Sequence, residues 1–347
     1  MMLRKRLGLF IAVIFLFFTG FASAVASGQK DFFRLLTTDL GVSEKSLSNI
    51  NKRIIVEEIP VRNNPREIAL VAIMRIGVPK AFLMKQLYGH GSILFSKNSS
   101  RSGIFGNPPR PRDMFGFQFP KSDLEVMRGC EIGDCKIKLP GHIIEALEKL
   151  DWSSKDSADK INKLFRNDIA AYTENYMAQG RYGLITYADK IEPQPLIYGF
   201  ERILTQSSYL NKYAPKLYRY LINFPEDTLE GVESYIYWSV AEFGLRPVTE
   251  ITHVTVYHPP TVKATLIAEK QIYASHYFWA RFKVSVVIDN NEDADIPGVF
   301  LICLDHSLFD DNLSKMKRRF LSLSVRKKFR SKFSAIRSRL EKAFRFL

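Results

Sequence analysis

Hydrophobic and polar residues alternate most regularly in the C-terminal third of the chain, over residues 266–288. The even positions there are mostly apolar, whereas the odd positions include Glu269, Arg281 and Lys283. A period of two is the spacing of side chains on one face of a β-strand. The pattern therefore predicts a single long strand with one buried face.

Shorter strand-like runs accompany this segment, and only a few residues connect neighbouring runs near it, which favours antiparallel pairing. The predicted strands occupy residues 54–60, 67–77, 115–119, 135–140, 235–239, 247–258, 266–288 and 299–304. A helix is predicted to begin at residues 78–80, because Pro79 suits the first turn of a helix.

Helical periodicity replaces the strand pattern over residues 141–224, where apolar residues recur at steps of three and four. The same steps predict a C-terminal helix with one apolar side, formed by Phe329, Phe333, Ile336, Leu340 and Phe344. The resulting segments are an export segment at 1–26, the N-terminal part of an α+β domain at 31–140, a helical insertion at 141–224, the main antiparallel strands at 225–312 and a basic amphipathic helix at 313–347.

Composition and length set the class of protein. The chain has 347 residues, of which 46% are hydrophobic and 13% aromatic. This composition is sufficient for a packed core and excludes an intrinsically disordered chain. The length allows either one large domain with an insertion or two modest domains.

The first residues have the layout of an export signal. Residues 4–6 are basic, residues 7–18 are apolar, and small residues suited to cleavage follow at 22–26. No charge interrupts residues 7–29, so an uncleaved membrane anchor is the alternative. We expect an exported protein of the periplasm or envelope.

The formal net charge of +14 is concentrated at the two ends of the chain. Residues 315–345 hold thirteen Lys and Arg against one Glu, residues 4–6 add three positive charges, and the rest sums to −1. This distribution does not indicate nucleic-acid binding. The basic side of the last helix is either simply solvated or rests on an anionic membrane. The predicted membrane-surface residues are Arg318, Arg319, Arg326, Lys327, Lys328 and Arg330.

The three cysteines have two different predicted roles. Cys130 and Cys135 flank a Gly-Asp turn, and in an oxidising compartment they are predicted to form a disulfide. This pair offers too few ligands for zinc. Cys303 lies in an apolar run and is predicted to be a buried thiol.

Two polar residues, Lys270 and His276, fall on the apolar positions of the long strand, and each requires a partner if it is buried. An antiparallel hairpin would bring His253 close to residues 267–272, nearer to Lys270 than to His276. The predicted ligand-binding residues are Lys270, His276, Phe278, His253 and Tyr273. Core histidines that hydrogen-bond to neighbouring groups are the alternative.

No pattern in the sequence identifies a catalytic residue, a metal site or a cofactor. Ser275 does not suit a nucleophile activated by His276, because adjacent residues of a strand point to opposite faces. The carboxylates of residues 141–224 have no regular spacing, and a Gly-rich phosphate loop is missing from the sequence.

The order of elements resembles that of the START-like, or helix-grip, superfamily: a strand pair, a helix opened by Val-Pro, an antiparallel meander and a long C-terminal helix. The segment Ile76-Gly77-Val78-Pro79-Lys80-Ala81-Phe82 is similar to the turn before the first helix of that superfamily. The resemblance covers residues 53–90 and 235–347, and the inserted helices depart from it. It implies an α+β fold in which a curved antiparallel sheet and the C-terminal helix enclose a cavity for lipids or other apolar ligands.

The chain also resembles a group of exported bacterial proteins. The shared segments are Cys130 to Pro140, Tyr237-Trp238 with Phe243-Gly244, and residues 270–277. This second resemblance implies no activity.

These expectations lead to the hypothesis of an exported protein that binds a lipid or another apolar small molecule between its sheet and its C-terminal helix, close to a membrane. One alternative is an enzyme of the same fold, cyclase-like or hydrolase-like, that uses His276 and Lys270. Another is an envelope scaffold whose inserted helices bind a protein partner. We expect neither a cofactor nor a nucleic-acid partner.

Overall fold

The structure, a computed structural model, describes residues 34–61, 64–88, 101–242, 246–260, 264–289 and 298–346; the predicted export segment at 1–26 lies outside these ranges. The strands are β1 (Ile55–Glu58), β2 (Glu67–Ile76), β3 (Ser102–Ile104), β4 (Thr186–Tyr187), β5 (Gln194–Pro195), β6 (Val232–Ala241), β7 (Val248–Tyr257), β8 (Ala264–Ala274), β9 (Phe278–Asp289) and β10 (Val299–Phe309). The helices are α1 (Glu44–Leu47), α2 (Lys80–Tyr88), α3 (Lys121–Met127), α4 (Gly141–Glu148), α5 (Ser157–Gln179), α6 (Leu196–Gln206), α7 (Ser208–Tyr213), α8 (Pro215–Asn223) and α9 (Lys315–Arg345).

A large antiparallel sheet forms the centre of the fold. Its strands follow the order β1-β2-β10-β9-β8-β7-β6-β3, while β4 and β5 pair separately. The sheet does not close into a barrel, and β10 lies between β2 and β9. The predicted fold class, an α+β protein with an antiparallel sheet, inserted helices and a long C-terminal helix, is confirmed.

The segment that was predicted as one long strand is a hairpin of β8 and β9. The chain turns at residues 275–277, where the Phe278 N–H donates to the His276 carbonyl at 2.7 Å. Tyr277 adopts a left-handed conformation with φ 65°. The prediction of a single strand over 266–288 is wrong because the turn contains no Gly, Pro, Asn or Asp, and Ser275 alone is a weak turn signal.

Both faces of the sheet are buried, so the prediction of one buried face is also wrong. The face that we call the layer face carries Trp238 and Phe282 and packs against the inserted helices. The opposite face, the α9 face, carries Met74 and Leu301 and packs partly against α9. The even positions of β8 that precede residue 274 belong to the layer face, as Leu266 and Ala268 illustrate.

The inserted helical layer is confirmed, with α6, α7 and α8 in place of the two helices predicted after residue 195. Residues 115–119 and 135–140 do not form the predicted strands. Phe117 and Phe119 instead pack on Phe165 of α5, with ring centroids 5.1 and 4.6 Å apart. Alternation in the first of these segments therefore reflects aromatic packing rather than strand pairing.

The C-terminal helix α9 crosses β1 and β2. Phe333, Ile336 and Leu340 form its buried stripe, as the periodicity predicted. Near its C-terminal end, Glu341 accepts a hydrogen bond from the backbone N–H of Gly77 at 2.9 Å. The helix is thus fixed to the same β2–α2 turn that carries the START-like resemblance.

The cysteine predictions are confirmed. Cys130 and Cys135 form a disulfide, and the Cys135 N–H donates to the carbonyl of Asp189, next to β4. Cys303 is a fully buried free thiol on the α9 face. Burial raises the pKa of this thiol to about 12.

Candidate functional site

Lys270 is a buried cation on the layer face, between α5 and α6. Its Nζ lies 5.4 Å from the ring centroid of Tyr176 and 4.8 Å from that of Phe200, and the residue is 7% exposed. Burial and, to a smaller extent, the positive charge of Arg181 lower the pKa of Lys270 to about 8. The side chain therefore remains mostly charged at neutral pH but only by a small margin.

His253 lies directly opposite Lys270 in the pairing of β7 with β8. The prediction that His253 lies closer to Lys270 than to His276 is confirmed. Its Nδ1 is 2.9 Å from the Tyr176 hydroxyl, and its ring centroid is 4.5 Å from that of Phe224. Burial, with a smaller contribution from Lys270, lowers the pKa of His253 to about 3, so the imidazole is neutral at physiological pH.

The Lys270 ammonium has no compensating anion among the residues that the structure describes. The ammonium contacts the aromatic faces of Tyr176 and Phe200, and no carboxylate of the described ranges pairs with it. Cation–π contacts recover only part of the cost of burying a charge. A positive charge that is nine-tenths buried and lacks a partner is more typical of a binding site than of a structural core.

His276 does not share this environment, because it lies in the β8–β9 turn. Its Nε2 is 3.2 Å from Oδ1 of Asp123 in α3, and Arg246 approaches the same oxygen at 4.0 Å. This contact fixes the turn to the helical layer. The structure thus joins Lys270 to His253 and places His276 in a separate group of side chains.

The remaining two predicted ligand-binding residues have other neighbours. Tyr273 donates from its hydroxyl to the Lys138 carbonyl at 2.9 Å and belongs to the layer face. Phe278 packs on Phe309, with ring centroids 5.4 Å apart, and lies in a small cluster at the end of the sheet. The five predicted residues therefore do not form one site. Lys270, His253 and Tyr273 face the inserted helices, not α9 as the resemblance implies.

A network of buried charges on the α9 face was missed by the sequence reasoning. Arg281 pairs with Asp305 through two contacts, Nε–Oδ1 at 3.1 Å and Nη2–Oδ2 at 2.6 Å, and its Nη1 lies 3.6 Å from Glu250. Gln271 donates to the same Glu250 carboxylate at 2.5 Å. This part of the α9 face carries paired charges instead of the apolar lining that the resemblance implies.

The same network continues along the hairpin. Lys283 lies opposite Glu269 in register, with Nζ 3.9 Å from the carboxylate, and the Tyr237 hydroxyl donates to that carboxylate at 3.3 Å. Lys332 of α9 also belongs here, because burial, with Lys283 and Arg281, lowers the pKa of Lys332 to about 7. The sequence signal was present as opposite charges at alternating positions of neighbouring strands.

The two carboxylates beside Arg281 differ in their pKa. Burial raises the pKa of Glu250 above its usual value, and the longer contact with Arg281 only partly opposes this effect. Burial also acts to raise the pKa of Asp305, but the two-point contact with Arg281 outweighs burial, so the pKa of Asp305 is lowered. The arrangement favours a charged Arg281–Asp305 pair with a second carboxylate that protonates more easily.

The predicted membrane-surface residues divide into two groups. Arg318 bonds to Glu58 and to the Glu67 carbonyl, and Arg326 donates to the Val56 carbonyl at 3.1 Å, so both hold α9 on the sheet edge. These two do not face outwards as predicted. The exposed members of the set are Arg319, Lys327, Lys328 and Arg330.

An apolar void lies inside the helical layer, away from Lys270. Phe119, Leu139, Ile143 and Phe165 contribute to its lining, and it is too small to admit a water molecule. Across the described residues, no group of three or more His, Cys, Asp or Glu is arranged to hold a metal ion. Within the same ranges, none of the helices combines the length and apolar character needed to cross a bilayer.

Comparison with known proteins assigns the chain to no family. No family model, curated protein or solved structure matches the chain. The START-like resemblance thus stays a prediction.

Proposed function

We propose that this protein is an exported binding protein for a small lipid-like molecule with an anionic head group, which it holds beside Lys270. The proposal differs from the sequence hypothesis in the location of the site. The residues that support it lie between the sheet and the inserted helices, whereas the sequence hypothesis used the space between the sheet and the C-terminal helix.

The observation that carries this proposal is the buried Lys270 ammonium, which pairs with no carboxylate in the part of the chain that the structure describes. Tyr176 and Phe200 contact it through their rings, and His253 adds no charge because its pKa lies far below neutral pH. Arg181 adds further positive potential. An anionic ligand would relieve this unfavourable potential and raise the pKa of Lys270, since a nearby negative charge favours the ammonium form.

Aromatic and apolar side chains surround the Lys270 ammonium. The neighbouring Phe200 and Tyr176 belong to a large buried cluster that extends along α5, α6 and the layer face. A hydrogen bond to a charged group contributes about 1.5–3 kcal/mol. We therefore expect Lys270 to account for a roughly tenfold to hundredfold preference for an acid over an uncharged analogue of the same length.

The test compares dodecanoate with dodecanol by calorimetric titration of the full chain. Lys270→Met removes the charge and keeps the length of the side chain, and Lys163→Met removes an exposed lysine of α5 as the matched control. Dodecanoate should bind the wild-type protein and the control more tightly than dodecanol does. The preference should disappear in Lys270→Met.

Two results would count against the proposal. One is the absence of measurable dodecanoate binding to the wild-type protein, together with no acidic lipid in mass spectra of protein purified gently from its native envelope. The other is an unchanged preference in a Lys270→Met protein that melts as cooperatively as the wild type. Loss of folding in that variant is recognised by circular dichroism, and Lys270→Arg, which keeps the charge, then serves as the second variant.

A further inference from the structure

The outer side of α9 carries an exposed apolar ridge, formed by Met316, Phe320 and Leu323. These side chains are 69%, 68% and 54% exposed. At about 100° per residue they fall on one side of the helix, within an arc of roughly 60°. Large apolar side chains that are exposed singly are ordinary, but three on one helical face form a patch that requires an explanation.

This ridge is not the side that α9 uses to pack on its own sheet. The buried stripe of Phe333, Ile336 and Leu340 lies about 130° around the helix from it. Near the ridge the inner side is also fixed, because Ser322 donates to Glu58 at 2.6 Å and Arg326 to the Val56 carbonyl. The ridge therefore faces outwards on a helix whose orientation is set by contacts on its other side.

Basic side chains flank the ridge. Arg319 lies beside Phe320, and Lys327 and Arg330 continue the same side towards the C-terminus; all three are exposed. The lone acidic residue of the helix, Glu341, is near the other end and bonds to Gly77. The outer side of this half of α9 is thus apolar at residues 316–323, with Arg319 and Arg330 along one margin and Lys327 at the C-terminal end of the ridge.

The combination of apolar and basic side chains on the ridge indicates which kind of partner it binds. Phosphates of a nucleic acid would engage the cations and leave the apolar side chains without a role, and a second copy of α9 would oppose positive charge to positive charge. An anionic phospholipid surface satisfies both features, since apolar side chains enter the acyl boundary while flanking cations meet the head groups. We infer that α9 docks the protein on an anionic membrane surface through Met316, Phe320 and Leu323, with Arg319, Lys327 and Arg330 at the head groups.

This inference is independent of ligand binding at Lys270, because α9 and Lys270 lie on opposite faces of the sheet. Failure of either proposal leaves the other intact. A local reporter is needed, since the apolar residues 7–18 of the full chain can themselves enter a membrane. The cysteines provide one: Cys130 and Cys135 are bonded to each other and Cys303 is buried, so a single introduced cysteine takes the label.

The experiment labels Ser324→Cys, which is exposed next to the ridge, with an environment-sensitive dye. The control label is at Phe115→Cys, which replaces a residue that is 91% exposed next to β3, at the opposite edge of the sheet. The vesicles are phosphatidylcholine with or without phosphatidylglycerol. We expect the dye emission at position 324 to shift to the blue only with the vesicles that contain phosphatidylglycerol. The emission at position 115 should not shift with either vesicle type.

Two triple variants separate the apolar and the charged contributions. Replacement of Met316, Phe320 and Leu323 by Ser, or of Arg319, Lys327 and Arg330 by Gln, should each weaken the response about tenfold or more. Added salt should reduce the residual binding of the Ser variant more than that of the Gln variant. The matched charge control replaces Lys149, Lys155 and Lys163, which are exposed on the helical layer, by Gln. The inference is overturned if position 324 responds equally to both vesicle types, or if the two triple variants respond like the charge control.

Discussion

Arg281 and Asp305 form a two-point ion pair in the middle of the α9 face, and both side chains are buried. Removal of either partner leaves the other as an uncompensated charge inside the fold. Arg281→Met or Asp305→Leu should therefore lower the free energy of unfolding by about 3–5 kcal/mol, measured by urea denaturation. The double variant with both apolar replacements, Arg281→Met with Asp305→Leu, should lose less than the sum of the single changes.

The control for this pair is Lys160, which pairs with Asp156 at 3.0 Å on the exposed side of α5. Lys160→Met should change the stability by less than about 0.5 kcal/mol. Additive losses in the Arg281 and Asp305 variants would show that the two side chains act separately, contrary to the geometry.

His253 predicts a pH dependence of stability. Its pKa is about 3 in the folded protein, against an ordinary value of 6.5, because the ring is buried beside Tyr176, Phe224 and the Lys270 cation. Between these values the unfolded chain binds a proton that the folded chain does not, so stability falls as the pH falls. For one proton, the free energy of unfolding falls by at most about 1.4 kcal/mol for each unit by which the pH is lowered.

The measurement compares urea unfolding of the wild type and His253→Gln at a series of pH values below neutrality. The variant should be less stable near neutral pH, because it loses the contact between the Tyr176 hydroxyl and Nδ1. The two curves should converge as the pH falls. Parallel curves would mean that His253 is charged in the folded state or does not contribute.

Cys303 should resist alkylation in the native protein. The thiol is fully buried, and its pKa of about 12 leaves almost no thiolate at neutral pH. Iodoacetamide should modify it at least about a thousandfold more slowly in buffer than in concentrated urea, because reaction requires global unfolding. Rapid modification of the native protein, located by peptide mass spectrometry, would show that β10 opens locally.

Gly180 ends α5 at a point where no side chain fits. Its φ is +53°, and a Cβ added there would lie 1.7 Å from the carbonyl oxygen of Phe224. Gly180→Ala should destabilise the protein by about 3 kcal/mol or more, since the backbone beside α8 must move. Gly129→Ala is the matched control, with open space around the added Cβ, and should cost less than about 0.5 kcal/mol.

Those features of the fold that repeat along the chain could be predicted from the sequence. Alternation marked most strands of the sheet, the helical steps of Phe333 and Ile336 marked the buried side of α9, and the cysteine spacing marked the disulfide. The β8–β9 turn could not be predicted, because distant contacts hold it. The Asp310 N–H donates to the Tyr277 carbonyl, and His276 meets Asp123.

The candidate site was predictable only in part, for a related reason. Lys270 was visible as a charge on an apolar face, and a simple hairpin argument placed His253 beside it. Which layer covers that face depends on α5 and α6, and no local signal in the sequence assigns them to one side of the sheet. Glu269 and Lys283 looked like a solvated strand face because pairing across strands, which makes their burial tolerable, is not visible along a single strand.

The position of β10 has a consequence for how the chain acquires its fold. β2 is made early in synthesis, yet one of its two neighbours is β10, and the register joins Ile76 to Val299 and Glu67 to Leu308. A ribosome-bound chain that ends before residue 299 therefore has no strand to connect β2 with β9. These pairs are highly non-local, so folding is slow, and β2 lacks one of its two neighbours until nearly the whole chain has been made.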